Sequence, residues 1–307
     1  MELTIDRGIG KMPWGIYRNG NSRCRINLEN GTKIRETDDD KFDLDFPESI
    51  DLNIGDKCDG GCKFCYINAS PNGVNAELLD NKFLKTIHPF TEVAINGNSV
   101  DHPQLIEFLI KMKERQVICN ITVNQIHFER EQAKLAYLVE HDLVKGIGIS
   151  LRKPTPEFIS LVKKYPNAVI HVINGILSAS DIEAMRDRGL KLLILGYKDL
   201  GRGKGYKKEN QLEIEMRQKY LYDVLDTLPN HFKVVSFDNL AIEQLNVKRI
   251  LSQEEWEQFY MGDEGTSSMF VDLVTGKFGV SSLCNEEEMQ PIMDSIEDMF
   301  RVVKSVA

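Results

Sequence analysis

Ser49-Ile50-Asp51-Leu52-Asn53-Ile54 is followed, three residues on, by Cys58-Asp59-Gly60-Gly61-Cys62-Lys63-Phe64-Cys65-Tyr66. The first stretch has the length and apolar character of a buried strand. The second gathers three thiols on one tight loop, and Gly60 and Gly61 permit the sharp turn that brings them together. No fourth ligand lies nearby in the chain. A structural zinc site wants four closed ligands, usually from two separated pairs. A cubane iron–sulfur cluster has one iron per ligand, so three thiolates leave one iron open. The zinc alternative requires a distant fourth ligand such as Cys24 or Cys284. Phe64, directly before the last cysteine, supplies an apolar wall, with Tyr66 just beyond.

Outward from this loop, short apolar runs at 92–95, 117–123, 146–151, 168–173 and 191–195 alternate with amphipathic stretches. Residues 102–116 place Leu105, Phe108, Leu109 and Met112 on one helical stripe. Thr155-Pro156-Glu157 starts another helix, 178–188 forms one closed by Gly189, and 209–228 reads as a long one. Six β-then-α units in a row predict an α/β fold with a parallel sheet, closed into a barrel or part of one, with ligands at the carboxyl ends of its strands. Residues 1–47 form a small N-terminal β extension with hairpin turns at Asn19-Gly20 and Asn30-Gly31. Residues 48–230 are the barrel. Residues 231–307 are a C-terminal α+β extension: a strand at 232–237, a helix at 252–260, a hairpin at 267–282 and a closing helix over 286–306.

Composition bounds the setting. The 307 residues carry a net charge of −9, with 42% hydrophobic and 28% charged residues, an ordinary soluble composition. That charge argues against an extended nucleic-acid surface. No apolar run approaches the roughly 18 residues of a membrane span, so no membrane partner is expected. Residues 1–7 lack the apolar core of a signal peptide. The expected location is cytoplasmic, where thiols stay reduced, and the six cysteines then read as metal ligands rather than a disulfide framework.

The cysteine spacing, with an aromatic residue before the third cysteine and a strand leading into the loop, resembles the cluster loop of the radical S-adenosylmethionine (radical SAM) superfamily. The resemblance covers roughly residues 48–200 and implies a partial (β/α)6 TIM-like barrel. It implies that Cys58, Cys62 and Cys65 hold a [4Fe–4S] cluster whose open iron chelates S-adenosylmethionine, cleaved reductively to a 5′-deoxyadenosyl radical. Cofactor contacts carried over by position are Phe64 and Tyr66 on the loop and Asn96, Gly97 and Asn98 after the second strand. There the family's Gly-Gly-Glu-type turn lacks its glutamate, and Asn98 offers an amide oxygen instead. Further contacts are Asn124 after the third strand, Ser150 and Arg152 after the fourth, and Gly175 after the fifth. Arg152 would pair the methionyl carboxylate or form a surface salt bridge.

On the fifth strand, His171 reads as a hydrogen-bonded core residue. Gln125 faces cofactor or substrate, and His127 is either a capping or exposed residue or a working one. The run from Gly196 to Lys208 carries four glycines beside Tyr197, Lys198, Arg202 and Lys204. It is expected to be a mobile lid binding an anionic substrate group, or else a solvated surface loop. The substrate is then an anionic small molecule, nucleotide or nucleoside. The alternatives are a peptide, or a non-catalytic role binding cluster and SAM. No catalytic residue is assigned; Lys198, Asp238 (beside Asn239) and Cys284 are the candidates. Cys284 is either a hydrogen-atom donor or a lone buried thiol, and Cys24 and Cys119 have no assigned role. The electron would come from a flavodoxin or ferredoxin.

Overall fold

Side-chain alternation explains how the chain after residue 48 curls into a barrel. In the strand Ser49–Asn53, Ile50 and Leu52 are fully buried in the core shared with the helices, while Asp51 stays open on the other face. The same alternation recurs in its neighbours, so one face takes the helices and the other lines a polar lumen. The computed structural model describes residues 4–6 and 13–307, with side chains from residue 13.

An antiparallel sheet comes first, in the order β1 (Thr4–Asp6), β2 (Trp14–Asn19), β3 (Ser22–Asn27), β4 (Lys33–Glu36). The Asn19-Gly20 turn joins β2 to β3, with Gly20 at φ +55°. The expected absence of a leader over residues 1–7 falls largely outside the described residues. The barrel strands are β5 (Ser49–Asn53), β6 (Glu92–Asn96), β7 (Ile118–Asn124), β8 (Gly146–Ser150), β9 (Ala168–Ile173), β10 (Lys191–Leu195) and β11 (Val234–Phe237). Each is parallel to the one before it. Next come β12 (Ser268–Asp272), β13 (Lys277–Gly279) and β14 (Gln290–Pro291). β12 returns to lie parallel to β5 on its free edge, and β13 and β14 continue the sheet antiparallel. The sheet therefore runs from β11 to β14 without closing: a partial barrel with a seam between β11 and the β12 side.

The helices are α1 (Leu105–Glu114), α2 (Gln125–Arg130), α3 (Gln132–Glu140), α4 (Pro156–Val162), α5 (Ala179–Met185), α6 (Arg202–Glu209), α7 (Gln211–Val224), α8 (Asn239–Leu245), α9 (Gln253–Phe259) and α10 (Ile296–Val306). Leu105, Phe108, Leu109 and Met112 of α1 are buried, as their spacing predicts. Thr155 caps α4 by accepting from Phe158 N, with Pro156 in the first turn.

Three expectations are corrected. The first β-then-α unit has no α-helix: between β5 and β6 only a single 3-10 turn forms, Phe83–Lys85. The intervening Ser70-Pro71-Asn72-Gly73 prefers turns, and it folds back so that Asp56 Oδ1 accepts from Val74 N at 2.5 Å. The long helix expected over 209–228 is shorter: α7 starts after Asn210, which separates it from α6, and gives way at Leu225 to a 3-10 stretch containing Pro229. The closing helix begins at Ile296, not 286; Pro291 lacks the amide a helix interior needs, and Ser295 supplies the cap.

The N-terminal sheet docks through a buried carboxylate. Glu48 accepts from Cys24 Sγ at 3.0 Å and lies 3.8 Å from Lys33 Nζ and 3.5 Å from Arg35 Nε. Among the described residues, no helix is long and apolar enough to cross a membrane.

Candidate cofactor site at the barrel rim

Four residues separate the end of β5 from Cys58, so Cys58, Cys62 and Cys65 stand beyond the carboxyl end of the first barrel strand, all three as free thiols of intermediate burial. The loop is tied down from several sides. Cys58 N donates to Ser70 O at 2.8 Å and Gly60 N donates to Cys58 Sγ at 3.3 Å. From β7, Asn124 caps α2 through its side-chain oxygen (3.1 Å from Ile126 N) and points its amide at Cys62 Sγ, 3.3 Å away. From β8, Arg152 Nη1 donates to Gly60 O at 3.0 Å. From α6, Arg202 N donates to Cys65 O at 3.0 Å, while the guanidinium donates to Cys62 O at 3.1 Å and Ala69 O at 2.9 Å.

Burial outweighs the favourable charges at the loop and leaves the Cys58 and Cys62 thiols above their usual range. The guanidinium of Arg152, then that of Arg202, pulls Cys62 part of the way back down. Beneath the loop, the buried His127 imidazole holds Asp59 Oδ1 at 2.6 Å and Arg130 holds Asp59 Oδ2 at 2.8 Å. Those two hydrogen bonds drop the Asp59 carboxyl to about 2. Arg130 also reaches Asp101 at 2.7 Å, so a guanidinium already bridges the carboxylates of the Asp59, Asp101 and His127 group.

The donor set suits a cluster better than a lone ion. Four ligands around one zinc at about 2.3 Å sit about 3.8 Å from one another. Among the described residues, the three cysteine sulfurs do not form a set within 4.8 Å of one another. Cys24 is engaged with Glu48, and Cys284 packs by β13, where a Cβ on Gly279 would lie 3.2 Å from its sulfur.

The turn after β6 carries a second cradle. Gly97 has φ +90°, and a Cβ there would lie 2.5 Å from Gly55 O, so only glycine lets this turn stack on the strand leading to the cysteines. Asn98 donates to Asp101 at 2.6 Å, which leaves its buried Oδ1 without a partner. An orphaned acceptor of this kind fits an ammonium group. Asn96 is paired in register with Asn53, whose Oδ1 is likewise buried and unpartnered. Ser150 closes β8 in register with His171. His171 leans over Gly148 into the lumen, where burial holds its imidazole down at about 4 and therefore neutral. The ring makes no hydrogen bond among the described residues, unlike the bonded core residue expected.

Other expected residues have structural employment. Gln125 is buried and accepts from Arg152 N and Lys153 N at 2.8 and 2.9 Å, pinning α2 to the end of β8. Gly175, at φ +90°, makes room for Ile214 of α7. Tyr197 is buried with its hydroxyl donating to Gly203 O at 2.7 Å. Asp238 caps α8, accepting from Ala241 N at 2.7 Å and Gly196 N at 2.8 Å. The run 196–208 is largely helix α6 and not an open loop: Gly201, at φ +52°, brings the backbone against Tyr66 O, 2.3 Å from where a Cβ would stand. Lys204 alone of that run's named residues is exposed and unpaired among the described residues. Lys198 crosses the seam, its Nζ 4.2 Å above the Tyr66 ring and 2.6 Å from Ser282 Oγ. Phe64 meets Tyr206 edge-on at 5.7 Å, forming an aromatic wall beside the loop.

Of the two roles left open for His127, the structure gives it a working one, holding the loop from below. One group escaped the sequence: Asp51 sits in the lumen with no hydrogen-bond partner among the described residues. The surrounding barrel wall desolvates Asp51, though its side chain stays open to the lumen, and pushes it up to about 6; Lys198 pulls against this, while Glu264 and Asp238 add to it. The alternation of Ile50, Asp51 and Leu52 could have flagged an acidic side chain facing inward.

No family model and no curated protein matches this chain. Solved structures do. SuiB of Streptococcus suis bound to S-adenosylmethionine superimposes over 99% of this chain and 89% of its own, with a TM-score of 0.62 at 12% identity. A further structure of SuiB from Streptococcus suis covers 98% of this chain and 88% of its own at a TM-score of 0.58 and 12% identity. SuiB bound to the precursor peptide SuiA covers 90% and 82% at 0.54 and 13%. The chain therefore shares the fold of SuiB, a protein solved with S-adenosylmethionine bound, and that fold is a partial barrel as its cysteine loop leads one to expect.

Proposed function

We propose that this chain is a radical SAM enzyme that modifies a peptide. The observation that carries the reading is the three-thiol loop beyond the end of β5, anchored by Asn124, Arg152 and Arg202, with no fourth cysteine or histidine grouped with it among the described residues. The chemistry supplied by a bound [4Fe–4S] cluster and S-adenosylmethionine is reductive C–S cleavage to a 5′-deoxyadenosyl radical, which takes a hydrogen atom from substrate.

The chain's own groups bind and orient. Cys58, Cys62 and Cys65 would ligate three irons. Asn98 Oδ1 would accept from the methionyl ammonium, the free N–H groups of Arg152 would take the carboxylate, and Ser150 would hold the ribose. Phe64, Tyr66 and Tyr206 exclude water beside the loop.

Two observations favour a peptide over an anionic small molecule. The cations once available to an anion are largely engaged: Arg202 on loop carbonyls, Lys198 on Ser282, Lys207 on Asp199 at 3.0 Å. The fold also matches a protein solved with a precursor peptide. The test is 5′-deoxyadenosine formation by anaerobically reconstituted protein with dithionite and S-adenosylmethionine. A mixed-sequence peptide pool is expected to raise it several-fold and a nucleotide pool to leave it unchanged. The reverse pattern would return the substrate to the anionic class, and no product at all would leave a non-catalytic cluster protein.

A further inference from the structure

Where the two ends of the open sheet meet, α8 from one side and the 248–264 segment and Leu283 from the other enclose a cavity of about 590 Å³, a volume typical of ligand sites. Its walls combine aromatic surface with acid. Trp256 and Tyr260 stack at 4.3 Å, and Lys248 Nζ already lies 5.4 Å over the Trp256 ring. Glu243, Asp263 and Glu264 face Lys248 as the single cation of the lining. Asp263 holds the Tyr260 hydroxyl. The carboxylates of Glu243 and Glu264 have no hydrogen-bond or ion-pair partner among the described residues.

The segment bearing these groups is poorly covered. Helix α9 buries none of its residues, and beside the cavity Phe259 and Met261 are 62% and 47% exposed. A helix that presents an indole and a phenol to a cavity, with apolar neighbours open at its rim, lacks a partner for that surface. The acidic lining also continues inward. Glu264 and Asp238, the residue before Asn239 of the lining, both act on Asp51 in the lumen. A cation on an apolar stem satisfies all of these walls together: its methylenes lie on the aromatics and its charge meets the free carboxylates.

We propose that this seam cavity is the docking groove for the peptide substrate, and that it selects a segment carrying a lysine or arginine beside an apolar residue. The inference rests on the peptide reading above and supplies its specificity. In this account Glu243 and Glu264 are recognition groups, Trp256 and Tyr260 are the platform, and Asp51 extends the acidic path toward the cluster loop.

Calorimetric titration of cluster-loaded protein, without reductant so that no turnover occurs, tests it with capped pentapeptides. Gly-Leu-Lys-Phe-Gly is expected to bind at least about fivefold tighter than the peptides with leucine or glutamate in the lysine position, and less tightly as salt is added. Glu264→Gln and Trp256→Ala are each expected to erase about fivefold of the lysine preference. Wild-type protein that binds the lysine and glutamate peptides equally, or binds neither, overturns the proposal. Protein that cleaves S-adenosylmethionine yet ignores peptide charge sinks only this inference. Protein that prefers the lysine peptide but never cleaves S-adenosylmethionine sustains the groove and sinks the radical chemistry.

Discussion

Cys62→Ala protein, reconstituted without air, is expected to hold well under the about four irons per chain of wild type and to form 5′-deoxyadenosine more than about 100-fold more slowly. Cys62 is the thiol on which the supporting shell converges. Asn124 donates to its sulfur, Arg202 to its carbonyl, and the guanidinium groups of Arg152 and Arg202 partly offset the burial that raises its thiol. Removing it leaves two thiolates and a donor aimed at nothing. Cys24→Ala and Cys284→Ala should keep full iron, since neither sulfur belongs to the loop. If either of these costs iron as Cys62→Ala does, the three-cysteine ligand set is wrong.

Arg202→Lys should look almost as severe as a lost ligand, although it preserves charge. The guanidinium spans Cys62 O and Ala69 O, 3.1 and 2.9 Å away, and so staples the two ends of the cysteine loop to the start of α6. An ammonium donates from one point and cannot bridge both carbonyls. Losing one charge-assisted bond and leaving a half-buried carbonyl unpaired costs about 3 kcal/mol. That weakening should let a chelator strip iron on the order of 100-fold faster. Absorbance decay of reconstituted protein in the presence of chelator measures it, and wild-type kinetics would show that Arg202 is an ordinary surface cation.

The fate of Arg202 also marks the boundary of what residues alone convey. The barrel could be read because each strand is a short apolar run whose neighbours in space follow it in the chain, so local pattern and global topology coincide. The cysteine loop could be read because its three ligands lie within eight residues. Arg202, by contrast, stands 140 residues from Cys62, in a run whose four glycines look like those of a mobile loop. Gly196, Gly201 and Gly203 instead allow close approach, as Gly201 does against Tyr66 O. His127 was ambiguous for the same reason: its partner Asp59 is 68 residues away, and nothing local distinguishes a loop-supporting imidazole from a capping one. The missing helix between β5 and β6 shows the opposite failure. Turn-forming residues over 70–75 carried the local signal, and the expectation of regular β-then-α alternation overrode it.

The seam and its acids were hidden for a further reason. β12 pairs with β5 across more than 200 residues of chain, which brings Glu264, Asp238 and Lys198 around Asp51 only once the sheet has curled. The C-terminal hairpin thus shares the barrel's own sheet and walls its lumen.

The most direct measurement is electron paramagnetic resonance of anaerobically reconstituted, dithionite-reduced protein before and after adding S-adenosylmethionine. A cluster with one iron free of protein ligands should give a reduced [4Fe–4S] spectrum whose g-values shift when the amino and carboxylate groups bind that iron. A spectrum indifferent to S-adenosylmethionine, or metal analysis returning one zinc per chain, would contradict the account.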